Sequence, residues 1–212
     1  MTRVVAIAAF ALLLLLLAVL GLVALRGNLQ QAEIDCGDGV AIAGGTAIGG
    51  PFALTDGTGA RVTDSDVVKG PTLIYFGYSF CPDICPTDMA RNAMALDLLK
   101  EQGIATQLVF ITIDPDRDTP ETADAFARSI HPDAIGLSGS AEDVAAVAKE
   151  YRVYFRKAGE DPDFYLMDHS TFTYLAEPGR PFVTFYRSDA TPEAVADSVA
   201  CHLGSSGSRK AT

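Results

Sequence analysis

Hydrophobic positions in this chain fall into two kinds of block. Short runs of β-branched and aromatic residues bounded by Gly, Pro or Asp have strand length; longer Ala- and Leu-rich runs have helix length. Residues 71–78, Pro71-Thr72-Leu73-Ile74-Tyr75-Phe76-Gly77-Tyr78, read as a buried strand, and the stretch from Thr87 to about Gln102 as a helix. Residues 107–113 are a second buried strand. It runs into Asp114-Pro115-Asp116-Arg117-Asp118-Thr119-Pro120, where Thr119 is a predicted N-cap and Pro120 the first residue of a helix to about Ile130. A short strand is predicted at 134–137, and a helix capped by Ser140 over 141 to about 151. Residues 154–157 are extended and 160–163 a turn. Strands at 165–168 and 171–175 flank a short loop holding His169. After a tight turn at 178–181 come a strand at 182–186, a final helix over 191–203, and a frayed polar tail at 205–212. Ahead of all these, residues 48–56 read as a strand entering a turn at Gly57-Thr58-Gly59, with 61–68 returning as its hairpin partner.

Strands alternating with helices predict parallel βαβ units, and the late hairpin adds an antiparallel part. The predicted fold class is therefore α/β, a central mixed sheet flanked by helices. There is no internal repeat, and no G-x-G-x-x-G or G-x-x-x-x-G-K-[ST] signature.

The N-terminus breaks this pattern. Residues 4–25 are uncharged throughout and include six consecutive leucines, Leu12 to Leu17. That length suits a transmembrane helix, and Arg3 on its near side places the N-terminus in the cytoplasm. A cleaved signal peptide is the rival, but no Ala-x-Ala site follows. The predicted organisation is a membrane anchor at 1–26, a linker at 27–45, a globular domain at 46–204 and the tail at 205–212. The domain then lies on the exported, periplasmic-type side. The chain has 16 Lys+Arg against 27 Asp+Glu. Removing residues 1–26 takes away Arg3 and Arg26 and leaves 14 against 27, a net of −13. Such a surface argues against nucleic acid and is compatible with a cationic partner, a metal ion or simple solubility.

Chemistry concentrates in Phe80-Cys81-Pro82-Asp83-Ile84-Cys85-Pro86-Thr87-Asp88, where a strand hands over to a helix. Proline is favoured at the first helical position, so the helix starts at Pro82 or Pro86 and both sulfurs lie near its positive end. Such a site lowers a thiol's pKa. Residues four apart on a helix have Cβ atoms about 5–6 Å apart, wider than the roughly 3.5–4.5 Å of a disulfide. The spacing suits two thiolates on one soft ion such as Cu(I), or zinc; a structural disulfide or two unrelated buried cysteines remain open. A third ligand has three histidine candidates. His131 ends a helix before Pro132, and His202 shares a helix with Cys201 but points another way. His169, in Asp168-His169-Ser170-Thr171, sits in a loop that a doubly wound sheet can bring to the cysteine strand. It is either a ligand or a loop histidine bonded to Asp168.

These motifs, in this order, resemble the Sco/SenC family of copper chaperones for cytochrome c oxidase assembly. The resemblance rests on Gly77-Tyr78-Ser79-Phe80-Cys81-Pro82-Asp83-Ile84-Cys85-Pro86, on Thr112 to Pro120, and on Asp168-His169-Ser170-Thr171 with Tyr174-Leu175. Ile48-Gly49-Gly50-Pro51-Phe52 and Leu54-Thr55-Asp56 match the family's first strand, and the likeness covers about residues 46–203. It implies a thioredoxin-like fold, a single N-terminal anchor, and a copper ion held by Cys81, Cys85 and His169. Asp168 then orients His169 as a hydrogen-bonded neighbour. Implied partners are the copper-bearing subunit of cytochrome c oxidase and a copper-donor protein. Cys36 and Cys201 lie outside the shared motifs and are either a pair tying the linker to the last helix or isolated thiols. Residues 114–120 carry no chemistry on this reading, only a helix-capping turn. Thioredoxin-type enzymes have Cys-x2-Cys and a facing cis-proline; here the spacing is Cys-x3-Cys and the facing Asp168-His169-Ser170 has no proline. That favours a metallochaperone over the alternative use of Cys81 and Cys85, a membrane-anchored thiol-disulfide reductase keeping the recipient's cysteines reduced. A zinc-bound structural domain is a third reading, disfavoured because structural zinc usually takes four protein ligands.

Overall fold

The computed structural model describes residues 12–21, 36, 48–159, 161 and 164–209, with side chains described as far as residue 204. The chain divides into two compact units, Met1–Asp35 and Cys36–Thr212. In the first, residues 12–21 are helical with exposed side chains; the rest of the predicted span at 4–25 lies outside the described residues. Among the described residues no helix is long and apolar enough to cross a membrane. The predicted boundaries at 26 and 45 also fall outside the described residues.

In chain order the second unit contains β1 (Ala53–Asp56), β2 (Arg61–Thr63), the one-turn α1 (Asp64–Val67), β3 (Thr72–Gly77), α2 (Ile84–Glu101), β4 (Gln107–Thr112), α3 (Pro120–Ile130), β5 (Ile135–Ser138), α4 (Ala141–Glu150), β6 (Phe155–Ala158), β7 (Leu166–His169), β8 (Thr173–Glu177), β9 (Arg180–Tyr186) and α5 (Pro192–Arg209). Seven strands form one sheet in the order β2-β1-β5-β4-β3-β8-β9. β3, β4 and β5 run parallel, joined by α2 and α3 as the periodicity predicts. β1 and β8 add antiparallel neighbours on the two sides, so the sheet is mixed. β6 and β7 form a separate antiparallel pair.

The central strands carry the core because both faces of the sheet are covered. β3 is buried at every position, and Leu73, Ile74, Tyr75 and Phe76 have no exposed surface. That explains a continuous apolar run rather than an alternating one. Burying one such side chain contributes about 1.5–3 kcal/mol relative to exposure. Gly136 on β5 has a packing reason: a Cβ there would lie 2.1 Å from the Ala123 carbonyl oxygen of α3.

Several boundaries differ from the sequence reading. Residues 64–67 turn into α1 instead of extending the hairpin, because Thr63 and Asp66 close a capping box. α5 runs through Gly204 to Arg209, so the predicted tail at 205–212 is helical over most of its length; residues 210–212 lie outside the described residues. Ser140 and Thr119 cap α4 and α3 as predicted: Ser140 Oγ accepts from Asp143 N at 3.1 Å and Thr119 Oγ1 from Thr122 N at 3.2 Å. Cys36 and Cys201 are joined as a disulfide with Cα atoms 5.5 Å apart. The bond fastens residue 36, predicted as linker, to α5, whose Val195, Ala196 and Val199 are buried in the core.

Candidate metal centre

The topology dictates where His169 goes. β8 runs antiparallel to β3, with Thr173 opposite Tyr75. Residues just before β8 must therefore lie just beyond the end of β3, where the chain turns through Ser79 and Phe80 to Cys81. Only residues 170–172 separate His169 from β8. His169 is the last residue of β7 rather than part of the loop after it.

Neither proline begins the cysteine helix. α2 starts at Ile84, so Cys85 is its second residue and Pro86 its third. Proline fits there because the first turn's N–H groups have no intrahelical partner to lose. Cys81 precedes the helix, so the two thiols are not a helical i,i+4 pair. Instead the Cys85 N–H, one of the free donors of the first turn, points at Cys81 Sγ at 3.3 Å. Space for Cys85 comes from Gly77 at the end of β3: a Cβ there would lie 3.0 Å from Cys85 Sγ.

The three predicted ligands converge. The sulfurs of Cys81 and Cys85 and a ring nitrogen of His169 all lie within 4.8 Å of one another. Cys85 Sγ is 3.4 Å from His169 Nε2. His169 Nδ1 lies 2.8 Å from the Ser170 carbonyl oxygen. A carbonyl only accepts, so Nδ1 carries a proton and Nε2 is the ring nitrogen turned toward the sulfurs, the one left for a metal to take. The rings of Tyr75 and Tyr78 meet the imidazole edge-on, with centroids 6.4 and 6.0 Å away.

Asp168 does not hold His169. Its carboxylate pairs with Arg156 at 2.7 Å and is half exposed. Adjacent strand residues point to opposite faces, so a residue next to the histidine on β7 is directed away from it. The backbone of Ser170 does the orienting, an acceptor that sequence cannot reveal because every residue has one. His131 and His202 stay outside the group.

The two thiols are electrostatically unequal. Cys81 is held far below the ordinary thiol range, first by the hydrogen bond from the Cys85 thiol and then, against its own desolvation, by His169 and the backbone N–H groups at the helix start. Cys85 is pushed up by donating to Cys81 and by burial. Tyr75 is likewise pushed up, by burial first and then by Cys85 and Asp88, and stays a neutral phenol. One thiolate beside one thiol is the expected resting form of the reduced pair. Ultraviolet titration of the reduced chain should therefore show one thiolate already formed well below neutral pH and the second absent into mild alkali. Two thiols titrating together in the ordinary range would contradict this. Among the described residues no cis peptide bond occurs, so no cis-proline faces the cysteines.

Two soft sulfurs and one imidazole make a donor set that suits a soft cation. The SCO1/SenC family model matches residues 40–204, a stretch that contains Cys81, Cys85 and His169. The chain belongs to the SCO1/SenC family. It is 51% identical to Protein SenC of Rhodobacter capsulatus over 156 residues, 74% of this chain and 71% of that one. It is 42% identical to the mitochondrial SCO1 homolog 1 of Arabidopsis thaliana over 158 residues, 74% of this chain but 47% of that protein. The chain thus spans about half the length of that mitochondrial relative. Among solved structures, it is similar to copper-bound Arabidopsis thaliana ScoI, with a TM-score of 0.72, 41% identity, and 75% of this chain and 99% of that one covered. The mixed α/β sheet with flanking helices is the arrangement of the solved SCO1/SenC structures, and the thioredoxin-like fold implied by the sequence motifs agrees with it.

Proposed function

We propose that this chain binds one copper ion through Cys81, Cys85 and His169 and delivers it to the binuclear copper site of cytochrome c oxidase during assembly. The observation that carries the reading is the convergence of two sulfurs and one oriented imidazole within 4.8 Å. Similarity to a copper-bound ScoI supports the choice of metal. Three donors leave the coordination shell open to an incoming ligand, so the ion can be handed on through shared thiolates without first becoming free. Zinc is the poorer fit, since structural zinc sites usually close with four protein ligands and the group among the described residues comprises three.

In this proposal the apolar segment at 4–25 anchors the chain as a single transmembrane helix. Residues 46–204 form the copper-binding domain on the exported side, and a separate protein there supplies the ion. The Cys36–Cys201 disulfide supports that placement, because such bonds persist in oxidising compartments.

A second reading has an observation of its own. A thiolate at Cys81 beside a buried thiol at Cys85 is also the arrangement of an attacking and a resolving cysteine. The chain would then reduce a disulfide on the recipient before it is metallated.

The test is a copper titration of the full chain, purified in detergent under reducing conditions, with metal analysis. One copper per chain is expected, and Cys81→Ala or Cys85→Ala should abolish tight binding. Wild-type affinity in Cys81→Ala would refute the assigned site.

A further inference from the structure

The turn between β4 and α3 is read from sequence as a helix cap, and Thr119 with Pro120 does cap α3. That leaves Asp114, Arg117 and Asp118 unexplained. Asp114 is 1% exposed and Asp118 fully buried. A buried carboxylate is unfavourable unless it is paired and hydrogen-bonded, so their partners show what the turn is for. None of these partners lies in α3.

Asp118 faces the cysteine turn. Its carboxylate accepts from Ser79 N at 2.8 Å, from the Ser79 hydroxyl, and from Thr112 Oγ1 at 2.7 Å. Ser79 is two residues before Cys81. Asp114 faces the histidine strand. It accepts from the Tyr165 hydroxyl at 2.7 Å and from Arg117 Nε at 2.6 Å. Tyr165 is the residue immediately before β7.

Arg117 touches both arms. Its Nη1 donates to the Tyr165 carbonyl oxygen at 3.0 Å, and its guanidinium lies 3.6 Å from the centre of the Tyr165 ring. The same group lies 4.9 Å from the Phe80 ring and 5.8 Å from the Tyr78 ring, on the cysteine side. A planar cation can serve three rings and two acceptors at once; an ammonium cannot.

We propose that Asp114, Arg117 and Asp118 form a clamp that fixes the spacing between the Cys81 turn and the His169 strand, so that the three ligands are set before the metal arrives. This rests on the copper reading above. Arg117 and Asp118 are positioning residues; neither reaches the ligand atoms. Without the clamp the histidine strand keeps its pairing with β6 and its connection to β8 through residues 170–172. It loses the side-chain bridge from Asp114 and Arg117 to Tyr165, and setting the ligand spacing would fall more to the metal itself.

The test uses the full chain in detergent under reducing conditions. Copper(I) affinity is measured against a competing chelator, and the copper(II)–thiolate absorption is recorded on a portion from which the reductant has been removed without air. Arg117→Lys keeps the charge but loses the fork and the stack. Ser79→Ala removes one donor to Asp118 and leaves the backbone one. Arg117→Lys should weaken copper by about 10–100-fold, the usual effect of losing an outer partner of a metal site. Ser79→Ala should weaken it by a smaller factor. Both should shift the thiolate band while the circular dichroism of the metal-free chain stays that of the wild type. A role in folding alone would leave affinity and band unmoved. Asp118→Asn should act like Arg117→Lys; if it fails to fold, the other two variants decide. Wild-type affinity and spectrum in Arg117→Lys and Ser79→Ala overturn the clamp while the copper site stands, provided Cys81→Ala loses copper. If Cys81→Ala keeps copper, the site and the clamp fall together.

Discussion

His169→Ala should separate the two uses of the thiol pair. Copper affinity is expected to fall by more than the roughly 100-fold that marks loss of an outer partner, because a direct donor is removed from a set of three. Thiol–disulfide exchange should largely survive. Cys81 owes its low pKa first to the hydrogen bond from Cys85 and only secondarily to His169. The attacking thiolate therefore persists when the ring is gone. The measurement pairs a copper(I) competition with the rate of reduction of a small disulfide, on the same preparation. Equal loss of both would mean that the imidazole serves the sulfurs and not a metal. Unchanged copper affinity with slowed exchange would favour the reductase outright.

The second large effect concerns stability. Replacing Cys36 and Cys201 together by serine should lower the unfolding free energy by several kcal/mol, toward the upper end of the ~2–5 kcal/mol range for native disulfides. The bond closes a loop with a sequence separation of 165, and in the chain-entropy account longer loops give larger effects. Denaturant unfolding without reductant is the comparison, the double variant against its parent, both carrying Cys81→Ser and Cys85→Ser so that no free thiol is present in the parent. Coincident midpoints would show that the bond constrains nothing the rest of the fold has not already fixed. Because Cys201 sits on α5, whose apolar face is part of the core, fraying of that helix should accompany the loss.

What could be read from the sequence, and what could not, follows physical lines. β3 and β4 were legible because a strand buried on both faces must be apolar throughout, and few other elements look like that. The thiols were legible as a site because cysteine is scarce and carries chemistry wherever it is exposed to a helix start. His169 was legible as a candidate, and became a ligand in expectation only through the family's motif order. Asp168 misled because adjacency in sequence suggests contact, whereas strand alternation directs neighbours to opposite faces. The Ser170 carbonyl was invisible for the opposite reason: it is main chain. Pro86 suggested a later helix start because proline favours the first position, yet the third tolerates it equally well from the standpoint of hydrogen bonding. The pairing of Cys36 with Cys201 was open because a count of cysteines does not say which are neighbours. The buried contacts of Asp114, Arg117 and Asp118 are not legible in the sequence, because Thr119-Pro120 alone accounts for a turn there and side-chain contacts to distant stretches such as Ser79 and Tyr165 leave no local signal.

The burial of the two sulfurs is uneven: Cys81 retains 8% of its surface and Cys85 none. Anything approaching from water therefore meets them in a fixed sequence. If the chain passes copper on as proposed, an incoming donor atom would meet the outer sulfur first while the inner one still held the ion, like a rope passed between climbers with one grip always closed.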